Sequence, residues 1–466
     1  MATRKLETDY LVIGAGVSGM AFADALISDS DADVILVDKR HAPGGHWNDA
    51  YPFVRLHNPS AIYGVNSMAL GGNTIDDEGT NAGFYERASG AEICAYFDRV
   101  LHKQLLPTGR VRFFGCCEAD AEGNLVNRLS GETYEVKVRR KVVNASYLEA
   151  SVPSTHRRRF EVAEGVRCVP VNELVRTVEL PEGYVIIGAG KTALDTCVWL
   201  LENGTKPGDI RWVKPRESWV HNRTYIQPLD QVGNLLEGMA RGYEALALAK
   251  SMDDLFERLE AADQLIRVDR KVTPTMYKGA TVTEGEIQQL RRIENVVRMG
   301  KVQRIAHDEI VLEGGTIPTN EAQLHVDCTA RGLNLARPIP IFGEREITIQ
   351  TVVFATYPIS PAIIGYLEAT RDDVAVNNAL CQPMVQPDSR EDWLHTTVKT
   401  GKAYARLSKE PDIAAWLENS RLHLSRGLMA RAGEPAVLDA YQRYQANRRP
   451  ALENYQRLVG EQGGAA

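Results

Sequence analysis

The sequence predicts an α/β protein of two Rossmann-like, three-layer nucleotide-binding domains, with a helical insertion and a helical C-terminal region. Two observations predict it. An apolar run that enters a glycine-rich turn occurs twice, as Tyr10-Leu-Val-Ile-Gly14-Ala-Gly16-Val-Ser-Gly19 and as Tyr184-Val-Ile-Ile-Gly188-Ala-Gly190-Lys-Thr-Ala193. Each copy is followed by a second apolar run, Val34-Ile-Leu-Val-Asp38 and Ile210-Arg-Trp-Val-Lys214. Short apolar runs of this kind read as buried parallel strands, and a glycine-rich turn between such a strand and a helix is the context that gives the motif meaning.

In the first unit, Gly14 permits the tight turn, Gly16 lets backbone approach a pyrophosphate, and Gly19 lets helix pack on strand. Val17 to Ile27 and Lys191 to Leu201 read as the helices, and Asn203-Gly204 is a stop signal for the second. Free N–H groups at each helix start would face the phosphates. The candidate cradles are therefore Gly14, Ala15, Gly16, Val17, Ser18 and Gly19 in one unit, and Gly188, Gly190, Lys191 and Thr192 in the other. Gly188-Ala-Gly190-Lys191-Thr192 also looks like the end of a P-loop, but Val185 stands where that motif needs its first glycine.

The two units differ at the end of the second strand. Asp38, with Lys39 beside it, would accept hydrogen bonds from ribose hydroxyls and repel a 2′-phosphate, so the first site suits FAD or NAD. Lys214 and Arg216 could pair with a 2′-phosphate, so the second site suits NADPH. Two different dinucleotides in one chain imply electrons passing between them.

The 466 residues leave room for two or three domains. A net charge of -7 offers no electrostatic case for nucleic acid or an anionic membrane. No apolar run approaches the ~18 residues needed to span a bilayer. Met1-Ala-Thr-Arg-Lys leads directly into the first strand and leaves no space for a signal peptide, so a cytoplasmic location is expected. The seven cysteines show no C-x-x-C spacing, and the histidines show no H-x-x-x-H pair, so neither a metal site nor a redox dithiol is indicated.

Along the chain, residues 1–150 read as the first part of one domain. Val111 to Phe114 and Tyr134 to Lys141 are strands, and Arg140 to Tyr147 reads as a strand re-entering that domain. Residues 151–325 read as the second domain, with a helical insertion at about 233–300 whose Leu235, Met239, Leu246 and Leu255 mark apolar faces. Residues 326–466 return to the first domain. His325-Val-Asp327-Cys-Thr329-Ala330 is the return, Glu346 to Val353 holds another strand, and the rest is helical with Pro387, Pro411 and Pro450 as breaks.

After Asp38 comes Pro43-Gly44-Gly45-His46-Trp47-Asn48. With the two fingerprints, this stretch resembles the class B flavin-dependent monooxygenases, the group of flavin-containing and Baeyer–Villiger monooxygenases. The resemblance covers roughly residues 5 to 360. It implies a discontinuous FAD domain interrupted by an NADPH domain, with Val142 to Tyr147 and Val326 to Ala330 as the crossings. It implies that Gly45, His46 and Trp47 lie against FAD, and that Asp327, Thr329 and Gln350 approach the cofactors. It also implies the reaction: NADPH reduces the flavin, O₂ adds at C4a, and the C4a-(hydro)peroxyflavin gives one oxygen atom to a small organic substrate. Asn58 is the candidate hydrogen-bond partner of that peroxide, with His57 and Arg55 beside it. Of the family motif F-x-G-x-x-x-H, only His156 is retained.

Three rival readings use the same fold. A disulfide reductase needs a cysteine pair where this chain has Gly45-His46-Trp47. A flavin oxidase, desaturase or reductase keeps both cofactors without inserting oxygen. A flavin- or NADPH-binding sensor needs only one fingerprint. Substrate identity and oligomeric state are not legible, although C-terminal helices often make homodimer contacts.

Overall fold

Two parallel sheets organise the chain. The computed structural model describes residues 4–120, 123–332, 334–354 and 356–463. In the first sheet the parallel order is Val111–Phe114, Val34–Val37, Arg4–Ile13, Thr133–Asn144 and Glu346–Thr348. The 12-residue strand Thr133–Asn144 does two jobs. Its beginning pairs antiparallel with Leu125–Asn127, and its end pairs with the returning Glu346–Thr348. The two runs expected there, Tyr134 to Lys141 and Arg140 to Tyr147, are thus largely one strand.

In the second sheet the order is Val296–Val297, Ile210–Val213, Gly183–Ile187, Gln323–Asp327 and Cys168–Pro170, all parallel. The strand Gln323–Asp327 spans the expected boundary at 325, so the second domain ends beyond Asp327 and the chain re-enters the first sheet at Glu346. The helices Val17–Ser28 and Lys191–Glu202 leave the central strand of each sheet, where the patterning puts them.

The C-terminal region closes the first domain. Ile359–Thr370 lies so tightly on Val17–Ser28 that a Cβ on Gly365 would sit 2.5 Å from the Phe22 carbonyl oxygen. The Tyr10 hydroxyl and the Lys141 ammonium both donate to Glu368, at 2.7 and 2.9 Å. Beyond it, Gly233–Leu248 packs along Pro435–Gly463, where Arg443 ion-pairs with Glu237 and Glu244.

Two expectations need correction. The 233–300 insertion is helical only at Gly233–Leu248, Met252–Ala261 and Glu284–Leu290. Leu265–Ile266 and Met276–Val282 form a small sheet with Ser218–Asn222, and Val296–Val297 joins the second main sheet. Pro450 does not break the chain: it lies inside the helix Pro435–Gly463. A proline there forgoes one intrahelical bond, but its neighbour Ala451 is fully buried in the helical core, and packing outweighs that local cost.

Candidate active site

Gly14 follows the last residue of its strand and Gly188 does the same in the second sheet, so both turns sit at the carboxyl ends of parallel strands. Both have positive φ, +107° and +137°, which favours glycine. Both turns open into one cavity of about 780 Å³, walled by Gly14, Gly16, Gly188 and Gly190 among others. Neither helix N-terminus carries a side-chain cap, so its N–H groups are available to a bound phosphate.

The first turn is completed by Gly44 and Gly45. Gly44 donates its N–H to the Ala15 carbonyl at 2.9 Å. Gly45 has φ +58°, and a Cβ there would lie 2.8 Å from the Gly16 Cα. The turn therefore admits glycine for two independent reasons. We expect Gly45→Ala to cost about 1–3 kcal/mol in strain and to displace the loop that faces the nucleotide. The purified variant should melt several degrees lower and be colourless; a yellow protein of wild-type stability would contradict the close approach.

Asp38 is buried on the cavity wall. Its carboxylate accepts from the N–H groups of Ala15, at 2.7 Å, and Arg40, at 2.8 Å. Burial pushes its pKa up, opposed by those two hydrogen bonds and by the Arg40 guanidinium. Trp47 donates its indole N–H to the Tyr63 hydroxyl at 2.7 Å, which fixes the ring on the wall. His46 lies beside it with its pKa lowered to about 4, first by desolvation and then by Arg40.

Between the two turns runs the segment 51–58. Tyr51 donates to Asp195 at 2.8 Å and Phe53 stacks on Trp199, so this first-domain loop is held by the second domain's helix Lys191–Glu202. His57 and Asn58 line the cleft. Desolvation, then the charge of Lys191, lowers the His57 pKa to about 4, so the ring is neutral at neutral pH. Asn58 Oδ1 is buried with no hydrogen-bond partner among the described residues. An unpaired buried acceptor of this kind costs about 1–3 kcal/mol, a cost that a donor on a bound ligand would remove.

Arg223 fixes the backbone of this loop. It is fully buried, donates to the His57 carbonyl at 2.8 Å, and pairs with Glu286 at 2.8 Å. Glu286 also faces Lys191 at 3.4 Å and Arg87 at 3.6 Å. Burial alone would raise the Glu286 pKa, but Lys191, Arg223 and Arg87 together hold it well below the usual carboxylate range. A depressed carboxyl stabilises the fold above its unfolded pKa near 4.5 and loses that contribution as pH falls below it. Glu286→Gln would leave three cations around a neutral amide. We expect a loss of about 3–5 kcal/mol at neutral pH, with a flatter acid limb than the wild type, read by urea unfolding across pH.

The structure brings most expected site residues to one cleft. Gly14, Gly16, Val17, Ser18, Asp38, Gly45, His46, Trp47, Arg55, His57, Asn58, Gly188, Gly190, Lys191, Thr192, Arg216 and Thr329 all line it. Six others do not. Ala15 and Gly19 are turned inward, and a Cβ on Gly19 would meet the Gly14 carbonyl oxygen at 1.9 Å. Lys39 is paired with Glu149 at 2.8 Å, and Arg40 takes its place on the wall. Asp327 is a buried brace that holds His156 at 3.1 Å and caps Thr329. Gln350 spends its amide on both backbone groups of Ile339, and the next residue, Thr351, faces the cleft.

Lys214 is the sharpest correction. Its backbone N–H extends the strand pairing to Val297, which puts its side chain on the same face as Trp212. The ammonium lies 4.1 Å from the Trp212 ring centroid and 2.5 Å from Glu217, with its pKa lowered by desolvation. Arg216 and Lys301 are exposed on the cleft wall, and neither side chain has a partner among the described residues, although the Lys301 backbone N–H donates to the Glu313 carboxylate at 2.9 Å. Sequence reasoning missed Lys301 because it follows the strand Val296–Val297, far from the fingerprint. Its signal was a lysine after a glycine, just before the strand Val302–Ile305.

Fold and site together define a protein with two Rossmann-type dinucleotide-binding units that share one cleft. A family model described as an NAD(P)-binding Rossmann-like domain matches residues 12–72, within the first unit. The chain belongs to the same family as the uncharacterized proteins Rv2000 of Mycobacterium tuberculosis (strain ATCC 25618 / H37Rv) and Mb2023 of Mycobacterium bovis (strain ATCC BAA-935 / AF2122/97). It is 46% identical to each over 427 residues, which span 91% of this chain and 79% of the relative.

Among solved structures, a cyclohexanone monooxygenase from Rhodococcus sp. Phi1 bound to NADP⁺ is similar at 14% identity and TM-score 0.49, over 94% of this chain and 98% of that one. A flavin-containing monooxygenase from Stenotrophomonas maltophilia is similar at 15% identity and TM-score 0.43, over 81% and 99%. A bacillithiol disulfide reductase from Staphylococcus aureus is similar at 10% identity and TM-score 0.46, over 79% and 98%. No helix among the described residues is long and apolar enough to cross a membrane.

Proposed function

We propose that this chain is an FAD- and NADPH-dependent monooxygenase that places one atom of O₂ on a small organic molecule. One observation carries the reading. Two glycine-rich turns open into the same cleft, one unit ending its second strand on an acid and the cleft wall of the other carrying the unpaired side chains of Arg216 and Lys301, and Asn58, whose Oδ1 is buried without a partner among the described residues, lines that cleft.

The residues fit the two groups. Asp38 is placed for the ribose of FAD, Gly14 to Ser18 for its pyrophosphate, and Gly45 to Trp47 for the approach of its ring system. Gly188 to Thr192 suit the pyrophosphate of NADPH, and Arg216 with Lys301 suit its 2′-phosphate. FAD, when bound, supplies hydride acceptance from NADPH and the activation of O₂. The chain's own part is to orient and to exclude water. Val54, Leu56, Ile62, Val353 and Phe354 make the wall near Asn58's segment apolar, and Asn58 holds a polar contact there.

Chemistry through a cysteine is disfavoured. Among the described residues Cys328 is the cysteine on the cleft wall, and burial pushes its thiol up to about 12, far from the thiolate a disulfide reductase uses. The test is to purify the chain, record the flavin absorbance, and follow NADPH consumption with amines, thioethers, ketones and aromatic metabolites. Mass gain of one oxygen in a product supports the proposal. Consumption of NADPH with stoichiometric H₂O₂ across the whole panel would make the protein an oxidase instead.

A further inference from the structure

A second cavity, of about 610 Å³, lies at the two chain crossings between the domains. The crossings are zipped together by a pair of backbone hydrogen bonds between Ser151 and Gly332, at 2.8 and 3.2 Å. One crossing contributes Arg157, Arg158 and Arg159 to the cavity, and the other contributes Arg331. Arg158 is accounted for. It lies 3.6 Å from Asp327, donates to the Cys168 carbonyl at 3.2 Å and stacks over Phe160. The acid on the same wall, Glu149, is already held by Lys39 and Arg40.

Arg157, Arg159 and Arg331 are different. All three are exposed, and none has an ion-pair or hydrogen-bond partner among the described residues. Three unpaired guanidiniums around one cavity run against the protein's net charge of -7. Like charges from two separate segments repel, and a shared anion relieves that repulsion while offering forked, bidentate hydrogen bonds. The cofactor phosphates are provided for elsewhere: the two helix N-termini face the main cleft, and Arg216 and Lys301 do not line this cavity. Arg159, Arg331 and Ser151 line both cavities, so a molecule can have its charged end here and its other end in the cleft.

We propose that this basic vestibule is the substrate's anion site, and that the molecule oxidised in the cleft is an organic acid, carrying a carboxylate or a phosphate. The inference names the substrate class for the monooxygenase reading above and rests on it. The test compares 4-(methylthio)benzoate with methyl phenyl sulfide, which share an oxidisable sulfur and differ in the carboxylate. Binding to the full chain with its flavin is measured calorimetrically without NADPH, at low and high salt. The expected result is at least tenfold tighter binding of the carboxylate at low salt, weakened by salt and by inorganic phosphate. In Arg157→Gln/Arg331→Gln that preference falls to about one.

Equal affinities in the wild type, no measurable binding of either, or a preference kept in the variant overturn the proposal. So does a variant whose KM rises for NADPH and not for NADH while its carboxylate preference stays, because the pocket would then serve the coenzyme's 2′-phosphate. Turnover separates the two readings. Preferred carboxylate binding without any sulfoxide sinks the monooxygenase and leaves the anion site. Sulfoxide from both probes without preference does the reverse.

Discussion

Arg216→Ala should raise the KM for NADPH by ten- to one-hundredfold and leave the KM for NADH nearly unchanged. A hydrogen bond to a charged group is worth about 1.5–3 kcal/mol, and each 1.4 kcal/mol is a factor of ten. Arg216 is the side chain best placed to spend that energy on a 2′-phosphate, because it lines the cleft unpaired. Lys301→Ala should act in the same direction, less strongly, since an ammonium binds phosphate as a point charge rather than as a fork. The two effects should not add, because both cations would serve one group. Lys214→Ala should behave differently. It leaves Glu217 with Arg298 at 2.8 Å but removes the buried partner under Trp212, so it should lower stability rather than select against NADPH. Equal KM changes for NADPH and NADH in the Arg216 variant would remove the phosphate role.

Asn58→Ala should keep NADPH consumption and lose oxygen transfer. Removing one preorganised hydrogen-bonding group at a reacting centre typically costs about 10²–10³ in rate. Asn58 has the features such a group needs: it lies on the wall of the shared cleft, and its Oδ1 is buried without a partner. The loop that carries it is braced through the His57 carbonyl by Arg223 and through Tyr51 by Asp195, so truncation at Asn58 should not move the loop. The measurement is product formed per NADPH oxidised, with H₂O₂ assayed in parallel. The expected variant returns most of its NADPH as H₂O₂. Unchanged coupling would take Asn58 out of the chemistry.

The fold was legible wherever local patterning and burial agree. The helices Val17–Ser28 and Lys191–Glu202 and the strands Val34–Val37 and Val111–Phe114 appear where the apolar runs and glycines put them. Within 265–297 the strands were not legible. Leu265–Ile266 and Val296–Val297 are two residues long and exist by pairing with distant segments, a contact no local window contains. Pro450 misled for a related reason: a local rule said break, and packing of the neighbouring side chains kept the helix.

The sequence by itself determined the two glycine-rich turns at the strand ends. Their geometry is backbone geometry: the positive φ of Gly14 and Gly188 and the close contact at Gly19 admit little but glycine, and they need only the strand and helix on either side. It also determined the sign of the charge at each site, an acid at Asp38 and bases near Arg216. Which charged side chain faces the cleft was decided by tertiary structure alone. Strand alternation buries Lys214 beside Trp212, the chain leaving Glu346–Thr348 presents Thr351 while Gln350 bonds Ile339, and the connection between Val296–Val297 and Val302–Ile305, more than eighty residues further on, supplies Lys301. A side chain's direction depends on pairing register and on what packs opposite, and both are fixed only when distant segments meet.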